Sequence, residues 1–109
     1  MPSDQFVIVL TTLPVEGDVE TLAAQLVDER LAACVNILPA MRSVYRWKNA
    51  VERADERQLV IKTVAERVPA LEARLRALHP YEVPEFLVIS TAGGSDGYLA
   101  WLREMTDEP

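Results

Sequence analysis

Histidine and cysteine are almost absent from this chain of 109 residues, which holds one of each, His79 and Cys34. A lone cysteine excludes any intrachain disulfide and fits a reducing compartment. One imidazole and one thiol also fall short of the roughly four ligands of a closed transition-metal site. Basic residues are sparse, 11 Lys and Arg against 17 Asp and Glu, for a net charge of −6. The concentrated basic surface of a general nucleic-acid binder is therefore missing. No run approaches the roughly 18 apolar residues of a membrane span, and residues 1–6 show no basic segment leading into an apolar stretch, so no secretory leader is expected. A phosphate-cradling glycine-rich motif, a recognisable nucleophile motif and a second His or Cys for a conventional dyad are all lacking. Carboxylates such as Glu52, Glu56 and Glu85 are too ordinary to imply catalysis. The expectation is a single cytoplasmic domain over residues 1–109, without enzymatic activity and without a nucleic-acid or membrane partner.

Half of the residues are apolar, and their periodicity is clear. Phe6-Val7-Ile8-Val9-Leu10 is a β-branched run ended by Thr11-Thr12-Leu13-Pro14, a first strand. From Asp18, a candidate N-cap, Val19, Leu22, Ala23, Leu26, Val27 and Leu31 recur at helical spacing. The period then changes to two. Val35 and Ile37 alternate up to Pro39, after which Met41, Ser43, Tyr45 and Trp47 share one face. Lys48-Asn49 is a turn signal in which Asn49 is expected to take positive φ, and a second extended run follows over residues 51–64. The pair is a long antiparallel hairpin, with a bend, bulge or edge position at Pro39. Residues 66–78 are helical, with Pro69 in the first turn and Val68, Leu71, Leu75 and Leu78 as the buried stripe. Phe86-Leu87-Val88-Ile89 is a last strand, and Ser95 or Asp96 caps a short terminal helix. The order is that of an α+β, ferredoxin-like β-α-β-β-α-β chain with a C-terminal helix.

Two features predict an oligomer. An extended segment over residues 33–47 would run to roughly 45–50 Å, far beyond a domain whose radius of gyration is about 13 Å. Its Tyr45–Trp47 end should project, and an isolated hairpin is marginal in water. The outer strands are also apolar on both sides, Val7 and Val9 opposite Ile8 and Leu10, Phe86 and Val88 opposite Leu87 and Ile89. A sheet open to water on one face would alternate apolar with polar. Tyr45 and Trp47 are accordingly the expected interface anchors.

The segment His79-Pro80-Tyr81-Glu82-Val83-Pro84-Glu85 is the densest in chemistry. Its prolines make a stiff turn that presents an imidazole and carboxylates close together. Together with Leu31-Ala32-Ala33-Cys34-Val35-Asn36-Ile37-Leu38-Pro39, Ser43-x-Tyr45-x-Trp47, Glu52, Ile61-Lys62-Thr63 and Tyr98-Leu99-x-Trp101-Leu102, it closely resembles the CutA family of divalent-cation tolerance proteins. The likeness runs from about Phe6 to Met105, in order and with matching spacing. It implies a ferredoxin-like protomer, a homotrimer, a cytoplasmic setting and Cu(II) or another divalent cation as an ion bound without being obligatory. In some relatives copper is attributed to a cysteine ending the first strand and to paired histidines before the Pro-Tyr. Here those positions hold Thr11, and Leu78 followed by His79.

The candidate metal ligands are His79, Cys34, Glu82 and Glu85, with tight binding expected to depend on His79. Each has a structural alternative: His79 as a helix-end and turn residue, Cys34 as a small buried hydrophobe. Lys62 interrupts Leu59-Val60-Ile61 and shares a strand face with Glu56, either as an edge charge pair or as a ligand site in an inter-subunit cleft. The leading function is divalent-metal tolerance through weak copper or zinc binding. The competing one is a signalling or scaffold trimer whose clefts take a small ligand or protein.

Overall fold

The computed structural model describes residues 5–107, so the ends of the expected 1–109 domain, and most of the segment read for a leader, lie outside the described residues. The elements are β1 (Phe6–Pro14), α1 (Val19–Asp28), β2 (Cys34–Ile37), β3 (Met41–Trp47), β4 (Ala50–Val64), a 3-10 turn (Ala65–Arg67), α2 (Val68–Leu78), β5 (Leu87–Ser90) and α3 (Asp96–Thr106). The strands form one antiparallel sheet in the order β2-β4-β1-β5, with β3 continuing alongside β4. This is the predicted ferredoxin-like arrangement. The last strand begins at Leu87, one residue later than the apolar run suggests.

Local chemistry sets the helix ends. The Asp18 carboxylate accepts from the Thr21 amide at 3.1 Å and from its hydroxyl at 2.7 Å, and those bonds hold the carboxyl below its ordinary range. α1 stops where Arg30 turns left-handed at φ 61°. The amides of Arg30 and Leu31 then bond back to the carbonyls of Val27 and Leu26, the Schellman pattern usually built on glycine. α1 buries Val19, Leu22, Ala23 and Leu26, and α2 buries Leu71 and Leu75; all of these but Ala23 cluster with Val7, Val9, Leu13, Leu59 and Ile61 of the sheet. Val27 lies at the margin of that stripe, 40% exposed. Ser95 caps α3, whose last carbonyls are met by Arg30 (to Glu104 and Met105) and by Arg67 (to Thr106).

Register decides which way the hairpin faces. β2 pairs Cys34 with Lys62 and Ile37 with Leu59, whereas β3 pairs Met41 with Glu56 and Trp47 with Ala50. Residues 38–40 therefore stand opposite residues 57 and 58, three against two, a bulge at Pro39. One extra residue exchanges the faces of a strand. Met41, Ser43, Tyr45 and Trp47 consequently share a face with Glu52, Glu56, Gln58 and Lys62, on the side away from α1 and α2. Beyond Glu56 the β3–β4 ribbon has no third strand among the described residues, since β1 ends opposite it at Pro14. Seven cross-strand pairs at about 3.3 Å each extend it roughly 23 Å. The molecule accordingly measures 44 × 27 × 24 Å, and its radius of gyration of 14.6 Å exceeds the compact expectation. At the tip the left-handed residue is Lys48, φ 56°, and not Asn49.

The sheet face away from the two long helices is only partly covered. α3 seats Leu99, Leu102 and Met105 over Phe6, Ala33 and Val64 at one end. The ribbon rises at the other. Between them Ile8, Leu10 and Val60 are half-buried, and Leu87 and Ile89 on the edge strand are 57% and 46% exposed. α3 thus does not supply the cover that the two-sided apolar strands call for.

One core position carries a visible penalty. Thr11 is fully buried beside Val9 and Leu13, and its hydroxyl has no hydrogen-bond partner among the described residues. A buried unsatisfied polar group costs about 1–3 kcal/mol, so Thr11→Val is expected to stabilise the fold by about 1 kcal/mol or more. Chemical denaturation of the two proteins side by side checks it, and an unchanged or lowered midpoint would show that the hydroxyl is satisfied.

Candidate functional site

A groove of about 860 Å³ lies where the ribbon leaves the sheet. Its floor is the outward face of β3 and β4, with Met41, Ser43, Tyr45 and Trp47 against Glu52, Glu56 and Gln58. Its wall is the turn carrying Pro80, Tyr81, Glu82, Pro84 and Glu85. Among the described residues four carboxylates line it, from Glu52, Glu56, Glu82 and Glu85, and no lysine or arginine does. Its size falls within the range of small-ligand pockets, and its field favours positive charge.

The wall is held by side chains bonded to carbonyls at the end of β1. β5 covers β1 only from Val7 to Leu10. Beyond it, the Thr12 carbonyl accepts from His79 Nε2 at 2.6 Å, and the Thr11 carbonyl accepts from Gln58 Nε2 at 2.7 Å. Gln58 Nε2 also donates to Glu85 Oε2 at 2.8 Å. The Tyr81 amide donates to His79 Nδ1 at 3.1 Å, and the two rings meet tilted by 49° with centroids 4.8 Å apart. Because an amide can only donate and a carbonyl only accept, the proton of His79 must sit on Nε2 and the lone pair of Nδ1 is occupied. The prolines either side of this turn leave few conformations to lose on ordering it.

The Tyr81 hydroxyl crosses the groove to Glu56 Oε2 at 2.8 Å. Burial, then the hydrogen bond to Glu56, then the charge of Glu56, raise the phenol above its ordinary value of about 10. Glu56 is itself only 6% exposed.

The structure places each of the expected metal ligands. His79 is buried with both ring nitrogens engaged, so it offers no lone pair to an ion without dismantling the wall. Cys34 lies half-buried opposite Lys62, on the far strand from the turn. Glu82 and Glu85 do reach the groove, although Glu85 is already bonded to Gln58. Among the described residues no three His, Cys, Asp or Glu side chains converge closely enough to hold a metal ion. Glu56 lines the groove, whereas Lys62 lies six positions further along β4 and outside it. Tyr45 and Trp47 do face the groove, with Lys48 Nζ 5.8 Å from the Trp47 ring. The residue missed from sequence was Tyr81, which holds Glu56; its place two residues after His79 in a proline-bounded turn was the available signal.

Comparison with known proteins is unambiguous. A family model described as "CutA1 divalent ion tolerance protein" matches residues 7–105. The chain is 48% identical over 99 residues to the divalent-cation tolerance protein CutA of Thermus thermophilus, covering 91% of this chain and 96% of that one. It is 41% identical over 100 residues to a chloroplastic CutA protein of Arabidopsis thaliana, covering 92% of this chain and 55% of that one. The solved Cut A1 structure from Thermus thermophilus superposes with a TM-score of 0.90 at 47% identity, covering 94% and 99% of the two chains.

The wall makes two predictions. His79→Ala removes two hydrogen bonds at a buried position and should cost about 1–3 kcal/mol in chemical denaturation; an unaltered midpoint would mean the turn is held by its prolines alone. Tyr81 has a raised folded pKa, so its stabilisation is complete below the ordinary tyrosine value of about 10 and is lost as pH rises through the folded value. Tyr81→Phe should therefore flatten the alkaline loss of stability and remove the most alkaline step of the ultraviolet phenolate titration. A profile identical to wild type would place Tyr81 in solvent.

Proposed function

The chain belongs to the CutA1 divalent ion tolerance family, and on that premise we propose that it serves divalent-metal tolerance as a cytoplasmic homotrimer. It holds ions such as Cu(II) or Zn(II) weakly, in the carboxylate-lined groove, and catalyses nothing. The observation that carries this reading is the groove itself, with four carboxylates and no base in its lining. Oxygen ligands of this kind, with water completing the shell, suit exchangeable divalent ions. The tight sites of Cu(II) and Zn(II) take imidazole or thiolate instead, and here those two groups are remote from one another. No helix among the described residues is long and apolar enough to cross a membrane. The homotrimer answers to the projecting ribbon, on which Val44 and Val51 are 61% and 54% exposed, and to the uncovered sheet face. Trp47 and Tyr45 then act as anchors at that interface.

The groove's volume also favours a second reading, in which an organic ligand or a protein segment fills an inter-subunit cleft and the metal response is indirect. Calorimetric titration of chelator-stripped protein with Cu(II) and Zn(II) separates the two. Weak uptake that falls in a Glu82→Gln, Glu85→Gln double variant and persists in His79→Ala and Cys34→Ser supports groove binding. No uptake by wild type would reject it in favour of the second reading. Light scattering at micromolar concentration should give about three times the 12.2 kDa chain mass, and a folded monomer would overturn the assembly.

A further inference from the structure

We propose that the groove is completed by a second copy of this chain, whose Lys62 ammonium enters it and pairs with Glu56. The proposal rests on the homotrimer reading above and names the contact that joins its subunits.

Among the described residues, Glu56 and Lys62 are charges withdrawn from water that lack opposites. Glu56 is 94% buried by its own chain, yet its carboxylate accepts a single hydrogen bond, from the neutral Tyr81 hydroxyl. Among the described residues no cationic side chain pairs with it. A carboxylate withdrawn this far from water normally has a cation or several donors. Lys62 is half-buried and flanked across the strands by Ile8 and Cys34. Among the described residues its ammonium meets no acceptor. Both residues belong to β4 and project on the same face, but six positions at about 3.3 Å separate them by roughly 20 Å. Within one chain they cannot meet.

Lys62 stands in the apolar band of Ile8, Leu10, Val60, Leu87 and Ile89 that α3 leaves uncovered. Any copy that docks on this band dehydrates the ammonium, and dehydrating it is costly unless a carboxylate arrives with the partner. Glu56 is placed to be that carboxylate, at the edge of the same face and in a groove without a base. The other cations near the groove, Arg46, Lys48 and Arg53, stand exposed on the ribbon, where water serves them well. They gain little from pairing. A contact in which each copy offers Lys62 and receives one at Glu56 is head-to-tail, and it closes into a ring when the rotation closes. The groove is then a composite site, with the neighbour's ammonium offsetting part of its negative charge.

The test is a charge exchange read by dissociation of the assembly on dilution, using the full chain. Lys62→Glu alone and Glu56→Lys alone should each raise the concentration of half-dissociation by at least about tenfold. Both changes in one chain restore every pair with its sign reversed and should recover most of that loss. A gentler set, Lys62→Met and Glu56→Gln, keeps the Tyr81 bond, and there the double variant should lose no more than the worse single. Additive losses in both sets, or no loss in either, would overturn the pairing, because positions this far apart within a chain act independently. A wild-type chain that is monomeric would instead overturn the homotrimer reading and this contact with it.

Discussion

Residues 38–40 stand opposite only two residues of β4, and the direction of the whole ribbon follows from that count. With an even register, Tyr45 and Trp47 would lie on the face packed by α1 and α2, next to Arg53 and Asp55 in place of Glu52 and Glu56. The bulge turns them to the open face, where they meet the carboxylates of β4 and the turn after α2. Pro39 is suited to this position, since it has no amide to contribute to the ladder that the bulge interrupts. The groove is thus a product of strand register more than of any one functional side chain.

The second constraint is the edge of β1. β5 is only four residues long, so the outward carbonyl of Thr12 lies beyond its reach, while that of Thr11 faces β4. They accept from Gln58 and His79, and those two side chains bring Glu85 and Tyr81 into the groove wall. Satisfying backbone acceptors and building the site are one and the same set of bonds. The only imidazole is engaged at both nitrogens in this architecture.

Elements governed by local rules were legible in the sequence. The Asp18 and Ser95 caps, the Leu71–Leu75 stripe, Pro69 in the first turn and the irregularity at Pro39 each depend on neighbours within a few residues. What stayed open depends on contacts distant in the chain. His79 reads as a ligand or as a turn residue until the Thr12 carbonyl, 67 residues away, is seen to occupy it. Cys34 and the 79–85 turn look compatible until strand pairing sets Cys34 beside Lys62. Glu56 and Lys62 look like partners in a cleft because alternation places them on one face, while alternation says nothing of the distance between them. At the hairpin tip, general preference favours Asn49 for positive φ, but the pairing of Trp47 with Ala50 assigns it to Lys48.

A protein with one histidine, whose tautomer is dictated by two backbone groups, contains its own spectroscopic probe. Every imidazole signal in its nuclear magnetic resonance spectrum comes from one ring, and that ring is bonded to the strand on one side and to the groove wall on the other. Whether the turn is seated, displaced by a ligand or reshaped by a neighbouring copy is therefore written into a single nitrogen pair. No label need be engineered to read it.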